Sequence, residues 1–387
     1  MRRERHAPRP GWQQIIASQG MCFDTPATDA HGNARPYWDE SVHYVFDMDE
    51  VLSIEASVEV LHSMCLEAVE NVVLMERYRD FGLPEWSWPH IEKSWRRSDP
   101  HLYGRFDLRY DGSRPPVLLE YNADTPTSLL EAAILQWYWK TDVFPADDQW
   151  NSLHEKLVER WKEIQDRLPG NETHFTWSSA DTSGEDNVTL AYLQECAAEA
   201  GLHTVGLAIE QLGWDRDLNR FVDLEDAPIS TLFKLYPWEW VLDDEFGRYA
   251  AESLPETMWI EPLWKSLLSN KAILAVLWEM YPGHPNLLPA YIDDPHELTE
   301  YVRKLKLGRE GANVTIVGAG YETQTGGVYG EEGYVYQLLD PLPQFDDMRP
   351  ALGAWIVGDE SAGLGIRETS GLVTDNGAAF VPHRIPQ

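Results

Sequence analysis

The stretch from Arg105 to Thr127 constrains the fold of this chain more tightly than any other. Side chains of a strand alternate with a period of two, so Arg105, Asp107 and Arg109 share one face while Phe106, Leu108 and Tyr110 take the other. Asp111-Gly112 opens a turn that Pro115-Pro116 closes, and Glu120 and Asn122 share a face of the second strand. Pairing Tyr110 with Val117 sets Asp107 opposite Glu120 and Arg105 opposite Asn122. Like charges directly across a ladder repel. Two facing carboxylates with an amide beside them therefore need a cation, and an all-oxygen set suits magnesium held together with substrate phosphates. The spacing alone also fits a solvated hairpin face. The continuation weighs toward the metal site, because a Val- and Leu-rich strand ends abruptly in the polar run from Glu120 to Ser128, and functional residues gather at such ends.

The 387 residues are enough for two or three packed units, and 43% hydrophobic content makes the chain globular. A net charge of -33 argues against nucleic acid and anionic membranes as partners, since both need a basic surface. It also suits the steering of a cationic substrate such as a polyamine. Cys22, Cys65 and Cys196 form neither a disulfide framework nor a zinc motif, and no apolar core follows the basic start, so a cytoplasmic location is expected.

Helical spacing over Asp49 to Met75 predicts a long core helix with Leu52, Ala56, Leu61, Cys65 and Ala68 near one face. A second helix, Leu129 to Lys140, follows the hairpin with Thr127 or Ser128 as its cap, and Asn151 to Leu168 is a third. Strand His174 to Ser178, helix Val188 to Ala200 and strand His203 to Ile209 make a βαβ unit of a parallel sheet. Ile229 to Leu235 reads as another strand, and the region from there to Pro262 as acidic loop. Lys271 begins a helix running to Met280, where the dipole disfavours a cation unless an anion lies nearby. Lys304 stands in a strand ahead of a loop with Gly308 and Gly311, and the glycines up to Gly330 and Gly333 punctuate short β segments. There is no Gly-Lys dipeptide for a Walker loop, no nucleophile elbow and no paired zinc histidines.

Taken together, Arg105-x-Asp107, Glu120-Tyr121-Asn122-Ala123-Asp124, Tyr236-Pro237-Trp238-Glu239-Trp240, the loop from Lys304 to Asn313 and Gly365-Ile366-Arg367-Glu368 resemble the synthetase domain of the glutathionylspermidine synthase family. The likeness covers residues 11–384. It implies an α/β (α+β) fold: a circularly permuted ATP-grasp with a preATP-grasp-like α/β half, the substrate and metal-strand half at 11–228 and the nucleotide half at 229–384. It also implies that Asp107, Glu120 and Asn122 hold two magnesium ions and that Arg105 stabilises the transferring phosphoryl group. By the same resemblance ATP is expected to be held by Arg105, Phe106, Asp107, Lys271, Lys304, Gly311, the hinge Gln337, Leu338 and Leu339, and Leu372 and Val373. Arg367 lies near the reacting carboxylate, and Glu185 and Asp186 receive the amine. Where glutathione-using members carry two serines, this chain has Thr125 and Thr127 around Pro126, which reshapes the carboxylate pocket.

The activity so implied is ATP-dependent acid–amine ligation through an acyl phosphate, releasing ADP and phosphate. Its substrates are a small-molecule or peptide carboxylate and a cationic amine. A nucleotide-binding scaffold of reduced catalytic power and a polyamine-binding protein are the alternatives.

Overall fold

The computed structural model describes residues 1–387 except 23–26, 29–33, 181–183, 254–255, 310, 328–331 and 375–376, and only the backbone of 27–28. Gly330 and Glu310 of the glycine-rich region therefore lie outside the described residues.

The hairpin forms as Tyr103–Arg109 and Val117–Asn122. Asp111 Oδ1 organises its turn by accepting from Ser113 N at 2.8 Å and Arg114 N at 3.1 Å, with Gly112 at φ +82°. Val117 pairs with Arg109 rather than with Tyr110, one residue away from the expected register. A β-bulge then inserts Leu119, and beyond it Asp107 faces Glu120 and Arg105 faces Asn122 as expected. Strand Arg349–Val357 pairs with Tyr103–Arg109, and Glu360–Thr369 and Ala379–Phe380 complete a five-stranded antiparallel sheet. Phe106, Leu108, Leu118 and Tyr121 share a core with Ile54, Val58 and Leu61 of helix Met48–Leu74. The opposite face carries Arg105 and Asp107.

A second five-stranded antiparallel sheet is built from Ala290–Ile292, Tyr334–Leu338, Tyr301–Leu305, Thr315–Gly318 and Tyr321–Gln324, in that order. The expected βαβ unit is present as Glu172–Trp177, helix Glu185–Glu199 and His203–Ala208. Its strands join Thr231–Leu235 and Met258–Ile260 in a parallel four-stranded sheet. Strands from both sides of position 228 share this sheet, and strands from both sides share the hairpin sheet, so the two halves named from the sequence interlock.

Several expectations need correction. The long helix is capped by Asp47, whose Oδ1 accepts from Glu50 N at 2.8 Å while Glu50 returns the contact. Its buried stripe runs through Val51, Ile54, Val58, Leu61, Cys65 and Ala68. Leu52 and Ala56 are exposed, because the face follows the i, i+3, i+7 series from Val51. The region before Pro262 is not all loop: it contains helices Trp238–Asp243 and Gly247–Glu252 and strand Met258–Ile260. The helix after the hairpin begins with a π-helical turn, Glu131–Leu135, and Ser128 sits at φ +66° with no side-chain cap bond at that helix start.

Candidate active site

A cavity of about 580 Å³ is walled by both antiparallel sheets and by Ser178, Glu185 and Asp186 from the parallel unit. Arg105 lines it and is itself buried. Its Nε donates to Asp107 Oδ1 at 2.7 Å and its Nη2 to Oδ2 at 3.2 Å, a bidentate pair, while Nη1 donates to the Thr127 carbonyl at 2.6 Å. Burial works against the charge, but the paired Asp107 outweighs it and raises the guanidinium above its ordinary value. Gly353 permits the arrangement, since a Cβ there would stand 2.9 Å from Arg105 Cδ.

Asn122 Nδ2 lies 3.3 Å from both Asp107 Oδ2 and Glu120 Oε1, so the two acids and the amide converge. A half-turn of the amide presents its oxygen instead. Two carboxylates and an amide oxygen are the hard donor set that magnesium takes together with phosphate oxygens. Among the described residues no group of three or more His, Cys, Asp and Glu side chains is arranged to hold a metal. The fit therefore rests on this set of two acids and an amide.

Lys271 precedes helix Ile273–Met280, which Asn270 opens by accepting from Ala272 N at 2.9 Å. The anion beside this lysine is Glu120, 3.1 Å from Nζ, and the Gly308 carbonyl accepts a second bond at 2.6 Å. Lys304 Nζ donates to the Leu119 carbonyl and to Gln337 Oε1, both at 2.8 Å. Burial opposes ionisation of Glu120, yet Lys271 and Lys304 hold its carboxyl down to about 2. The same burial lowers Lys304 to about 8, Glu120 opposing and Lys271 adding to the fall. Two cations and three oxygen donors in one cavity form a cradle of mixed sign, suited to a metal–polyphosphate.

On the loop after Lys304, Arg309 spans the cavity wall. Its Nη2 meets Glu239 Oε1 at 2.6 Å, and its Nη1 donates to Thr125 Oγ1 at 2.9 Å. Asp124, next to Thr125, is fully buried and receives Lys234 Nζ and, at 2.8 Å, Trp238 N. This ties the end of the hairpin to the parallel sheet.

Of the residues singled out in the sequence, Arg105, Asp107, Glu120, Asn122, Thr125, Thr127, Glu185, Asp186, Lys271, Lys304, Gly311, Leu339, Arg367, Leu372 and Val373 all line this cavity. Three do not. Phe106 stacks on Tyr121 in the core at a centroid distance of 3.9 Å. Gln337 is buried behind Lys304 and donates to the Leu118 carbonyl at 2.9 Å, and Leu338 N is bound to Pro289 O. Sequence reasoning missed Tyr37, Ser178, Trp240, Arg309 and Asp340, which also line the cavity. Trp240 and Arg309 stood inside motifs already noted. Tyr37 had no local signal, because only chain packing brings it to the hairpin.

Two antiparallel sheets clasping one cavity, with Lys304 on one and the paired carboxylates on the other, define the class. It is an ATP-grasp-type fold, and the acidic hairpin precedes the lysines in the chain, the order of a circular permutation. A glutathione synthetase-like effector from Globodera pallida, solved in its apo form, shares this fold with a TM-score of 0.60 at 10% identity, covering 97% of this chain and 95% of its own. The chain belongs to the glutathionylspermidine synthase preATP-grasp family, whose description it matches over residues 3–386. It is 41% identical to a Haemophilus influenzae protein named "Putative acid--amine ligase", over 97% of each chain. It is 29% identical to trypanothione synthetase of Crithidia fasciculata and 28% identical to bifunctional glutathionylspermidine synthetase/amidase of Escherichia coli K12. Those matches cover 84% and 88% of this chain but 54% and 58% of the relatives.

Proposed function

We propose that this enzyme is an ATP- and magnesium-dependent acid–amine ligase. It joins a small-molecule or peptide carboxylate to a cationic amine through an acyl phosphate and releases ADP and phosphate. The observation that carries the reading is the meeting of Asp107, Glu120 and Asn122 with Lys271 and Lys304 in one cavity. The names of its relatives, ligases and synthetases, support it.

In the first step a carboxylate oxygen attacks the γ-phosphorus and the bond to ADP breaks; in the second the amine attacks the acyl carbon and phosphate leaves. Asp107, Glu120 and Asn122 would hold magnesium, which when bound would supply charge neutralisation at the phosphates. Lys271 and Lys304 hold the phosphate oxygens. Arg105, fixed by Asp107, points its guanidinium at the group in transfer, where fixed charges do most of the catalysis. Thr125 and Thr127 bound the acid, with Arg367 beside its reacting end, and Glu185 and Asp186 attract the amine.

Free Cys22, Cys65 and Cys196 suit the reducing cytoplasm. No helix among the described residues is long and apolar enough to cross a membrane.

The test is ADP release over a matrix of acids and amines, in wild type and in Glu120→Ala and Lys271→Ala. Release that depends on both an acid and an amine, and is lost in both variants, is expected. Equal background hydrolysis in all three proteins with every mixture overturns the ligase reading, and ATP binding without turnover leaves a scaffold.

A further inference from the structure

The ligase reading leaves one chemical demand without an assigned group. A cationic amine must lose a proton before it can attack the acyl carbon; the lysines and arginines of the cradle are placed for anions, and Glu185 and Asp186 for the ammonium charge. The base has to be an ionisable group placed behind the amine side of the cavity, where Glu185 and Arg367 stand.

Glu131 meets that demand in position and chemistry. It is 1% exposed, and its Oε1 accepts from the Tyr37 hydroxyl at 2.6 Å. The same hydroxyl lies 3.2 Å from Ser128 Oγ. Tyr37 lines the cavity together with Glu185, Asp186, Thr127 and Arg367, whereas Glu131 lies behind it. Glu131 also opens the π-helical turn Glu131–Leu135, a local widening that recurs at functional sites.

We infer that Tyr37 and Glu131 form the proton exit for the attacking amine: Tyr37 takes the ammonium proton as its own hydroxyl proton passes to Glu131. The balance closes. Once the amine is neutral, the C–N bond forms and the C–O bond to phosphate breaks. The second N–H proton leaves with the phosphate as hydrogen phosphate. Tyr37 is the group that touches the amine, and Glu131 acts through it.

The charge environment agrees. Burial raises the Glu131 carboxyl, and the negative charge of Glu185 on the facing helix raises it further. The Tyr37 hydroxyl and Arg367 on strand Glu360–Thr369 pull it back, leaving it at about 7. A group poised there accepts a proton at neutral pH and returns it to water between turnovers.

The inference rests on the ligase reading, and hydroxylamine separates the two. Hydroxylamine is largely unprotonated at neutral pH and captures an acyl phosphate as a hydroxamate without needing a base. Wild type, Tyr37→Phe and Glu131→Gln are assayed with magnesium-ATP and the acid giving most ADP in the matrix above. Each is assayed once with hydroxylamine and once with the matrix's best amine. Both variants are expected to keep most hydroxamate formation and to lose amide formation by roughly a hundredfold. Wild-type amide formation should fall as the pH drops below about 7, where Glu131 is protonated. In Glu131→Gln that limb should give way to the ionisation of the amine itself. If wild type forms no hydroxamate with any acid, the ligase reading falls and the inference with it. If wild type forms hydroxamate and both variants make amide at the wild-type rate, or lose hydroxamate and amide equally, the inference alone is overturned.

Discussion

The Leu119 carbonyl accepts a 2.8 Å hydrogen bond from Lys304 Nζ. Leu119 is the extra residue of the hairpin bulge, so its carbonyl is left out of the strand pairing and is free to receive a side chain from the facing sheet. The same bulge sets Glu120 opposite Asp107. One inserted residue therefore builds the carboxylate pair and anchors the lysine of the opposite wall.

Lys304 gives a pH signature. With its value lowered by burial to about 8, it sheds its proton above that pH and would lose the proposed hold on phosphate. The rate of ADP release at subsaturating ATP, which reports the free enzyme, is expected to fall above about pH 8. In Lys304→Arg the alkaline limb should vanish, because guanidinium stays charged. Stability moves the other way. Between about 8 and the ordinary lysine value of 10.5 the unfolded chain binds more protons, so folding gains as pH rises. A profile that stays level across the alkaline range in wild type would refute the assignment.

Lys234 is paired with Asp124 in a site fully closed to water. Lys234→Met strands a buried carboxylate and is expected to cost roughly 3–5 kcal/mol. Urea unfolding measures it. A loss below about 1 kcal/mol, the range of surface pairs, would show that the pair does not hold the hairpin end to the parallel sheet.

Gly353→Ala places a methyl 2.9 Å from Arg105 Cδ. The arginine must move off Asp107, and misplacement of about 1 Å costs on the order of a hundredfold in rate. Turnover should fall steeply while the far-UV spectrum is retained. Wild-type turnover would mean that the pose of Arg105 is immaterial.

Thr125→Val removes the hydroxyl that receives Arg309 Nη1 at 2.9 Å. Its KM for the acid is expected to rise roughly tenfold, the worth of one charge-assisted hydrogen bond, with turnover changed little. Steady-state kinetics with the acid varied decide it. A fall in turnover at constant KM would place Thr125 at the reacting atoms instead.

Much of the cavity lining was legible in the sequence because the residues of the hairpin are local. Asp107, Glu120 and Asn122 sit on two strands joined by a short turn, and period-two alternation brings such residues together without help from the rest of the chain. The assumed pairing of Tyr110 with Val117 was off by one residue, yet the carboxylates face each other because the bulge at Leu119 supplies the missing residue. The bulge shifts the alternation by one, so that Leu118 and Tyr121, three residues apart, both face the core, a break that strict period-two reading does not anticipate. The long helix was legible from its period, whereas its Asp47–Glu50 cap came only with the structure. Its buried face was misplaced at Leu52 and Ala56, since which stripe turns inward depends on the partner surface.

Other positions had no local signal. Gln337 falls on the hinge motif but spends its side chain on Lys304 and the Leu118 carbonyl, contacts that exist only once the two sheets meet. Tyr37 reaches the cavity from far along the chain, and Glu131 takes its place from a π-helical turn. By itself the sequence determined the secondary-structure periods and the pairing of the two acids, because those depend on residues close together on two strands joined by a short turn. The tertiary structure decided which cations oppose the acids, which side chains are withdrawn into the core and that Tyr37 stands between the cavity and Glu131, because burial and charge proximity are properties of the packed chain.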